Sequence, residues 1–244
     1  MRQAPSPSLA EGGYGPAAFA DLLADRALHV ELVRDALVRA YGERAPHDAL
    51  DPLSELIATI LSQHTSDTNS GRAFASLRQR FPTWADVLAA PTGEVAEAIW
   101  AGGLANQKAP RIQAILHEVL AQEGHLSLDT LADQGVPAAT ARLRALHGVG
   151  PKTAACVLLF ACHLPAFPVD THVHRVSRRV GFAPASATPE DVQRIVESVL
   201  PPEQTYDLHV NLISHGRQVC KAQRPHCPAC PLRPICVHGQ THGR

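Results

Sequence analysis

The chain has 244 residues, of which 22 are Lys or Arg and 23 are Asp or Glu, so its formal net charge is −1. This balance lacks the basic excess that marks many nucleic-acid-binding domains, and no apolar run is long enough to span a membrane. The length is sufficient for one large domain or two small ones. Charge is unevenly distributed, because nine basic and five acidic residues follow residue 170, which indicates a phosphate-facing surface in that part.

Taken in chain order, the sequence predicts one helix after another and no alternating strand pattern, so the expected fold class is all-α. Thr188 and Pro189 form the clearest helix start, an N-cap followed by proline at the first helical position. Residues 1–15 are expected to be disordered, and since they do not resemble a secretory signal, we expect a reducing cytoplasm. The predicted helices cover residues 19–41, 52–63, 68–80, 84–89, 93–100, 107–122, 140–146, 152–163, 171–180, 189–200 and 206–219.

A Gly-x-Gly hairpin joins two of these predicted helices, in the run Leu-His-Gly-Val-Gly-Pro-Lys-Thr at 146–153. Gly148 and Gly150 allow backbone conformations closed to other residues and let N–H groups approach a ligand. The following helix begins with free N–H groups directed at the same place, which favours binding of a phosphate. Gly148, Val149 and Gly150 are therefore candidates for anchoring a phosphate backbone.

Lys152 and Asp170 are the candidate chemical groups. Lys152 falls in the first turn of a helix, whose positive end disfavours an ammonium, and a neutral amine is a nucleophile that can form a Schiff base. Asp170 is a good N-cap for the helix 171–180, and an ionised carboxylate suits a site that stabilises a cationic transition state. The alternatives are a lysine that only contacts phosphate and an aspartate that only caps a helix.

Four of the six cysteines fall within seventeen residues near the C-terminus, whereas Cys156 and Cys162 lie in an apolar helix and are expected to be core residues. The four are Cys220, Cys227, Cys230 and Cys236. A single Cys-x2-Cys pair flanked by two lone cysteines suits an iron–sulfur cube better than structural zinc, which usually takes two separated pairs. Zinc stays open as an alternative, because His215, His226 and His238 are close in sequence.

The hairpin with its lysine, the Val-Asp-Thr-His segment at 169–172 and the four-cysteine spacing, in this order, resemble the endonuclease III family of helix-hairpin-helix (HhH-GPD) DNA glycosylases. The resemblance extends over roughly residues 30–236. It implies a two-domain helical DNA glycosylase fold, with a helical barrel at 45–164 and the hairpin at the domain interface. Residues 16–44 together with 165–244 would form the second domain, in which the four cysteines hold a [4Fe–4S] cluster.

The resemblance also implies a function. The protein would be a bifunctional DNA glycosylase/AP lyase of base excision repair that removes oxidised pyrimidines, with Lys152 as nucleophile and Asp170 as its partner carboxylate. His172 could orient Asp170 or a phosphate. We expect a monomer that acts on double-stranded DNA containing a damaged base, away from membranes, in a bacterial-type cytoplasm at the nucleoid. The rival functions are a glycosylase without lyase activity and a non-catalytic DNA-binding or iron–sulfur electron-transfer protein.

Two loop positions match family residues that fill the gap left by an extracted base, an extraction that costs a few kcal/mol. Where relatives commonly carry an intercalating Gln, this chain has His64, with Gln63 one residue earlier. Leu104 matches the second, apolar wedge. His147 is a further departure, because relatives usually have Pro there. The alternative for each wedge position is a loop residue without a special role.

Overall fold

The computed structural model describes residues 16–46 and 49–242. Within these ranges the chain contains helices and no strand, which confirms the predicted all-α class. The α-helices are α1 (Pro16–Ala24), α2 (Arg26–Tyr41), α3 (Pro52–Ser62), α4 (Asp67–Arg80), α5 (Trp84–Ala89), α6 (Thr92–Ala98), α7 (Ala105–Glu123), α8 (Gly135–Ala145), α9 (Pro151–Phe160), α10 (Thr171–Val180), α11 (Pro189–Val199), α12 (Thr205–Gln218) and α13 (Val237–His242). Short 3₁₀ turns lie at Trp100–Gly102, Asp129–Gln134, Pro202–Gln204, Cys227–Ala229 and Arg233–Ile235.

Several helix boundaries differ from the prediction. The predicted helix 19–41 is two helices, because Asp25 interrupts it and caps α2 by accepting a hydrogen bond from the Leu28 N–H at 3.0 Å. α8 begins at Gly135, earlier than predicted, since Ala139 packs into the core. α13 was not predicted, because its polar sequence carries no apolar period. The disorder expected for residues 1–15 lies outside the described residues.

The described residues separate into two compact units. The first, here the hairpin unit, takes in the described part of 46–168, and the second, the cysteine unit, takes in the described parts of 1–45 and 169–244. The predicted boundary after residue 164 falls four residues earlier than the observed one. Ala166 belongs to the hairpin-unit core and accounts for part of this difference.

The core of the hairpin unit forms around α3, which packs against α9, α4 and α7. Five apolar side chains of α3 have no exposed surface, and burial of each such side chain is worth about 1.5–3 kcal/mol. They are Leu53, Leu56, Ile57, Ile60 and Leu61. This packing fixes the end of α3 and the start of α9, where the predicted site residues lie.

In the cysteine unit, α2 and α10 both pack against α12. Asp207 of α12 is only 4% exposed, and its carboxylate accepts hydrogen bonds from Arg34 Nε at 3.0 Å, the Arg44 backbone N–H at 2.9 Å and Asn211 Nδ2 at 3.1 Å. A buried carboxylate is tolerated when it is paired and hydrogen-bonded in this way. Among the described residues, no helix combines the length and the apolarity needed to cross a bilayer.

Candidate active site and nucleic-acid interface

The hairpin turns tightly between α8 and α9. The Val149 N–H donates to the Leu146 carbonyl at 3.1 Å, and Gly148 has a φ of +69°, a left-handed conformation that favours glycine. Gly150 is different, since its φ of −90° and ψ of 175° are open to any residue. α9 then begins with Pro151, and no side chain caps it, so its N-terminal N–H groups are left for a ligand.

The hairpin residues predicted to contact DNA differ in how exposed they are. Val149 is 6% exposed and packs into the core, so only its backbone can face a phosphate. Gly148 is exposed, and Glu118 Oε2 accepts a hydrogen bond from the His147 N–H at 2.8 Å. The proline expected from the resemblance could not make this bond, because it lacks an N–H. His147 therefore fits the turn.

Arg111 and Gln63 tie the hairpin to the end of α3. The Arg111 guanidinium donates to the Gly148 carbonyl and, at 3.0 Å, to Gln63 Oε1. The amide nitrogen of Gln63 donates in turn to Thr153 Oγ1 at 3.3 Å, next to Lys152. Both ends of the Gln63 side chain are thus engaged within the protein, which argues against Gln63 as a residue that enters DNA.

Lys152 is half-buried in the first turn of α9, as its sequence position predicts. The charge of Lys152 acts on the carboxylate of Glu55 in α3. Burial raises the pKa of Glu55, while the hydrogen bond from Thr59 Oγ1 at 3.0 Å and the charge of Lys152 act in the opposite direction. Glu55 was not a sequence candidate, because nothing in its local pattern places it beside the lysine.

Asp170 is the N-cap of α10, and its Oδ1 accepts a hydrogen bond from the Val173 N–H at 2.7 Å. The capping role predicted from the sequence is thus present. Lys152 belongs to the hairpin unit and Asp170 to the cysteine unit, so their pairing as amine and carboxylate is part of the proposal below.

His172 lies in the first turn of α10, and Arg175 Nη2 is 3.1 Å from its Nδ1. The same guanidinium donates to the Gly216 carbonyl at 2.9 Å and to the Cys220 carbonyl at 2.9 Å. These bonds connect His172 to the first cysteine of the loop. Orientation of Asp170 or a phosphate by His172 stays a prediction.

The two predicted wedge residues share an unusual backbone conformation. His64 has a φ of 55° and Leu104 a φ of 53°, although residues other than glycine seldom adopt the left-handed region. Both side chains are exposed, and that of Leu104 has 46% of its surface in solvent. Strained backbone of this kind concentrates at functional sites, so it favours a role for both residues over the plain-loop alternative.

The four C-terminal cysteines line one cavity in the cysteine unit, together with His215 and Arg179. None of the six cysteines, all of them within the described residues, forms a disulfide, and Cys156 and Cys162 are buried in the hairpin unit as predicted. In the described part of the chain, no three His, Cys, Asp or Glu side chains converge closely enough to hold a single metal ion. The four thiols therefore line one cavity without converging on a single point.

Two of these thiols are strongly desolvated. Burial raises the pKa of Cys230 to about 12 and that of Cys236 to about 11, with neighbouring cysteines adding to both shifts. His215 Nε2 lies 3.5 Å from Cys230 Sγ, and its Nδ1 is 3.0 Å from the Tyr41 hydroxyl. Burial lowers the pKa of His215 to about 4. Thiolates in this setting need a bound cation to offset their desolvation.

Basic side chains around the cysteine loop have two distinct roles. Arg179 donates to the backbone carbonyls of Lys221 at 2.7 Å and Ala222 at 2.9 Å, so it holds the cysteine loop. The charge count counted Arg179 and Arg175 as cations for DNA, but both are engaged within the protein. Arg178, Lys221 and Arg224 are exposed. The phosphate-facing surface expected from the sequence is therefore smaller than its number of basic residues indicates.

An all-helical chain whose Gly-Val-Gly hairpin leads into a lysine-bearing helix has the architecture of helix-hairpin-helix DNA repair proteins. The sequence matches the HhH-GPD superfamily of base excision DNA repair proteins over residues 57–202, more than half of the chain, and the protein belongs to this superfamily. This membership confirms the resemblance inferred from the motifs and identifies the chain as a DNA glycosylase of base excision repair.

Individual relatives agree with this membership. Endonuclease III of Thermotoga maritima is 32% identical over 212 residues, 86% of this chain and 95% of that protein. A candidate DNA glycosylase of Arabidopsis thaliana is 39% identical over 165 residues, but this chain spans only 56% of its length. A solved structure of a trapped endonuclease III–DNA covalent intermediate is 31% identical and aligns with a TM-score of 0.75, covering 89% of this chain and 99% of that one.

Proposed function

We propose that the protein is a bifunctional DNA glycosylase/AP lyase that removes oxidised pyrimidines from duplex DNA through a Schiff base on Lys152. The observation that carries the proposal is the position of Lys152, half-buried in the first turn of an uncapped helix directly after the hairpin. The hairpin backbone would hold a DNA phosphate at the same helix end, which brings the deoxyribose within reach of the amine. The solved covalent complex of endonuclease III supports this class of chemistry for a related protein.

The first half of the reaction releases the base. The neutral Lys152 amine attacks C1′, the bond between C1′ and the base nitrogen breaks, and the base leaves with that electron pair and takes up a proton. The Asp170 carboxylate would stabilise positive charge on the sugar as the bond breaks, and water takes up the proton that the amine loses. The nitrogen lone pair then opens the C1′–O4′ bond, O4′ is protonated, and a C1′ imine to Lys152 results.

The second half cleaves the strand. Loss of a C2′ proton and departure of the 3′ phosphate with the C3′–O electron pair complete a β-elimination, and water finally hydrolyses the imine to free Lys152. His64 and Leu104 would occupy the gap in the duplex while the damaged nucleotide is extrahelical. The exposed His64 side chain can stack on bases and donate a hydrogen bond to the orphaned partner.

We propose that the cysteine cavity holds a [4Fe–4S] cluster rather than zinc. Four free thiols line it without converging on a single point, and a cube distributes its four thiolate ligands around a larger object. Cys220, Cys227, Cys230 and Cys236 would hold the cluster. When bound, it supplies a rigid cross-link between the ends of the loop, and the reaction itself stays with Lys152 and Asp170.

The partner is double-stranded DNA with a damaged base, bound by a monomer in a bacterial-type cytoplasm at the nucleoid. The exposed Arg178, Lys221 and Arg224 supply positive charge for its phosphates. A screen of duplexes carrying thymine glycol, dihydrouracil, uracil or mismatched adenine would test the substrate class. Fastest release of the two oxidised or reduced pyrimidines is expected, whereas preference for mismatched adenine would refute it.

Borohydride trapping tests the chemistry. On duplex DNA with thymine glycol, the wild-type protein should form a covalent adduct that Lys152→Ala abolishes. Lys221→Ala is the matched control: it removes an exposed cation that contributes to DNA binding but is not the nucleophile, so the adduct should still form at a protein concentration that saturates the DNA.

Base release measured in parallel separates the possible mechanisms. Lys152→Gln should lose both base release and strand cleavage, and Asp170→Asn should lose both while still folding, because asparagine can also cap α10. If Lys152→Gln kept base release and lost only cleavage, an activated water would replace the amine as nucleophile.

A further inference from the structure

Lys108 is a buried lysine that the reaction above does not use. It lies near the start of α7, only 4% exposed, and burial lowers the pKa of its ammonium. Burial of a charge is costly unless it is paired or hydrogen-bonded. Its Nζ donates to the Leu61 carbonyl at 2.8 Å and to the Gly102 carbonyl at 2.9 Å. The ammonium is therefore hydrogen-bonded to two backbone carbonyls that belong to different segments.

Each of these carbonyls lies just before a wedge residue. Leu61 is in the last turn of α3, three residues before His64, and Gly102 ends a 3₁₀ turn, two residues before Leu104. Carbonyls at helix ends carry partial negative charge, which suits a cation. The Lys108 amine thus holds the backbone just before His64 and just before Leu104, the two exposed residues with a left-handed backbone conformation.

The two segments also lie close together at Gly102. A Cβ built on Gly102 would lie 3.0 Å from the Ala73 Cβ and 3.7 Å from the Leu61 carbonyl oxygen. There is accordingly no free space at Gly102 for a side chain, and the separation of the segments is set by close packing together with the bonds from Lys108.

We infer that Lys108 is a positioning residue that holds the His64 and Leu104 segments as one rigid body, so that both wedges enter the duplex together. The inference rests on the proposed function, in which these two residues fill the gap left by the extracted base. A positional error of about 1 Å in a catalytic assembly can cost roughly a hundredfold in rate. Loss of the hydrogen bonds from Lys108 should therefore impair base extraction and leave the chemistry at Lys152 intact.

Lys108→Met removes the charge and both hydrogen bonds while keeping a side chain of similar length. We expect kcat/KM on a lesion paired in a duplex to fall about tenfold or more, and that on the same lesion in an unpaired bubble to change by less than about threefold. Gln113→Met is the matched control, because buried Gln113 of α7 also donates to two carbonyls, those of Val87 at 3.0 Å and Ala90 at 2.8 Å. Its ratio of paired to unpaired activity should stay at the wild-type value.

A mutant cycle tests whether Lys108 acts through the wedges. In the His64→Ala/Leu104→Ala background, Lys108→Met should lower activity on the paired lesion by less than about twofold, because residues of one assembly have non-additive effects. Full additivity, or equal losses on paired and bubble substrates, would overturn the inference. If Lys108→Met does not fold, Gly102→Ala perturbs the same two segments while retaining the lysine. The ratio of activity on the paired lesion to activity on the unpaired lesion should then fall in Gly102→Ala. Borohydride trapping on the bubble substrate reports the proposed chemistry separately.

Discussion

The two hairpin glycines should differ sharply in what they contribute to stability. Gly148 has a φ of +69°, and a Cβ there would lie 2.8 Å from Arg111 Nε and 3.1 Å from Arg111 Cζ. Gly150 has an ordinary φ, and a Cβ there would meet no atom within 4 Å. Alanine at these two positions therefore tests the geometry of the turn.

The expected cost at Gly148 has two parts. Alanine in left-handed backbone costs about 1–2 kcal/mol. Displacement of Arg111 breaks its hydrogen bond to the Gly148 carbonyl, worth about 1 kcal/mol at this partly exposed position. Gly148→Ala should thus lower the free energy of unfolding by about 2–3 kcal/mol, whereas Gly150→Ala should change it by less than about 0.5 kcal/mol.

Chemical denaturation of the single variants, Arg111→Ala and the double variant Gly148→Ala/Arg111→Ala measures both parts. With Arg111 removed, only the backbone term should be left, so the cycle should show a coupling of about 1 kcal/mol. DNA binding by fluorescence anisotropy should fall in Gly150→Ala without a loss of stability, because the new methyl group meets the approaching phosphate. Equal destabilisation by the two glycine variants, or an additive cycle, would refute this account of the hairpin.

Two further predictions concern the exposed tryptophan and the cysteine cavity. Trp100 is 72% exposed and four residues from Leu104, whereas Trp84 is 8% exposed beneath Arg78. In the Trp84→Phe variant, the fluorescence of the remaining Trp100 should be that of a solvated indole and should be quenched by duplex DNA. Unchanged fluorescence at saturating DNA would argue against a DNA-facing Leu104 loop. Cys227→Ser should reduce the bound iron measured by metal analysis after anaerobic purification. It should also lower the melting temperature more than Cys156→Ser does, since loss of a metal ligand is a recognised cause of large destabilisation. Stoichiometric zinc without iron in the wild-type protein would contradict the cluster.

Local signals in the sequence were sufficient for the helix caps and the hairpin. Asp170 and Thr188 cap the helices expected of them, because an N-cap depends only on residues within one turn. Gly148 needs glycine as predicted, but Gly150 does not, since the motif does not specify which of its positions has positive φ.

Long-range partners could not be predicted in this way. Arg111 meets Gly148 across 37 positions of sequence, and Lys108 meets Leu61 across 47. Their local patterns show only polar residues on a helix, so the sequence gives no reason to prefer them over solvated side chains. The bonds of Gln63 to Arg111 and Thr153 could not be predicted for the same reason, because they depend on tertiary packing.

The chain order of the two units has a consequence for synthesis. The hairpin unit is contiguous, so it can fold as soon as its residues have left the ribosome. α2 has to wait, because Asp207, which binds Arg34 and Arg44, is made more than 160 residues later. α2 thus stays without this partner until Asp207 has been made, and the cavity that would receive iron is completed only after Cys236 has been made. Cluster loading is therefore expected to follow the synthesis of Cys236, on a protein whose hairpin unit is already folded.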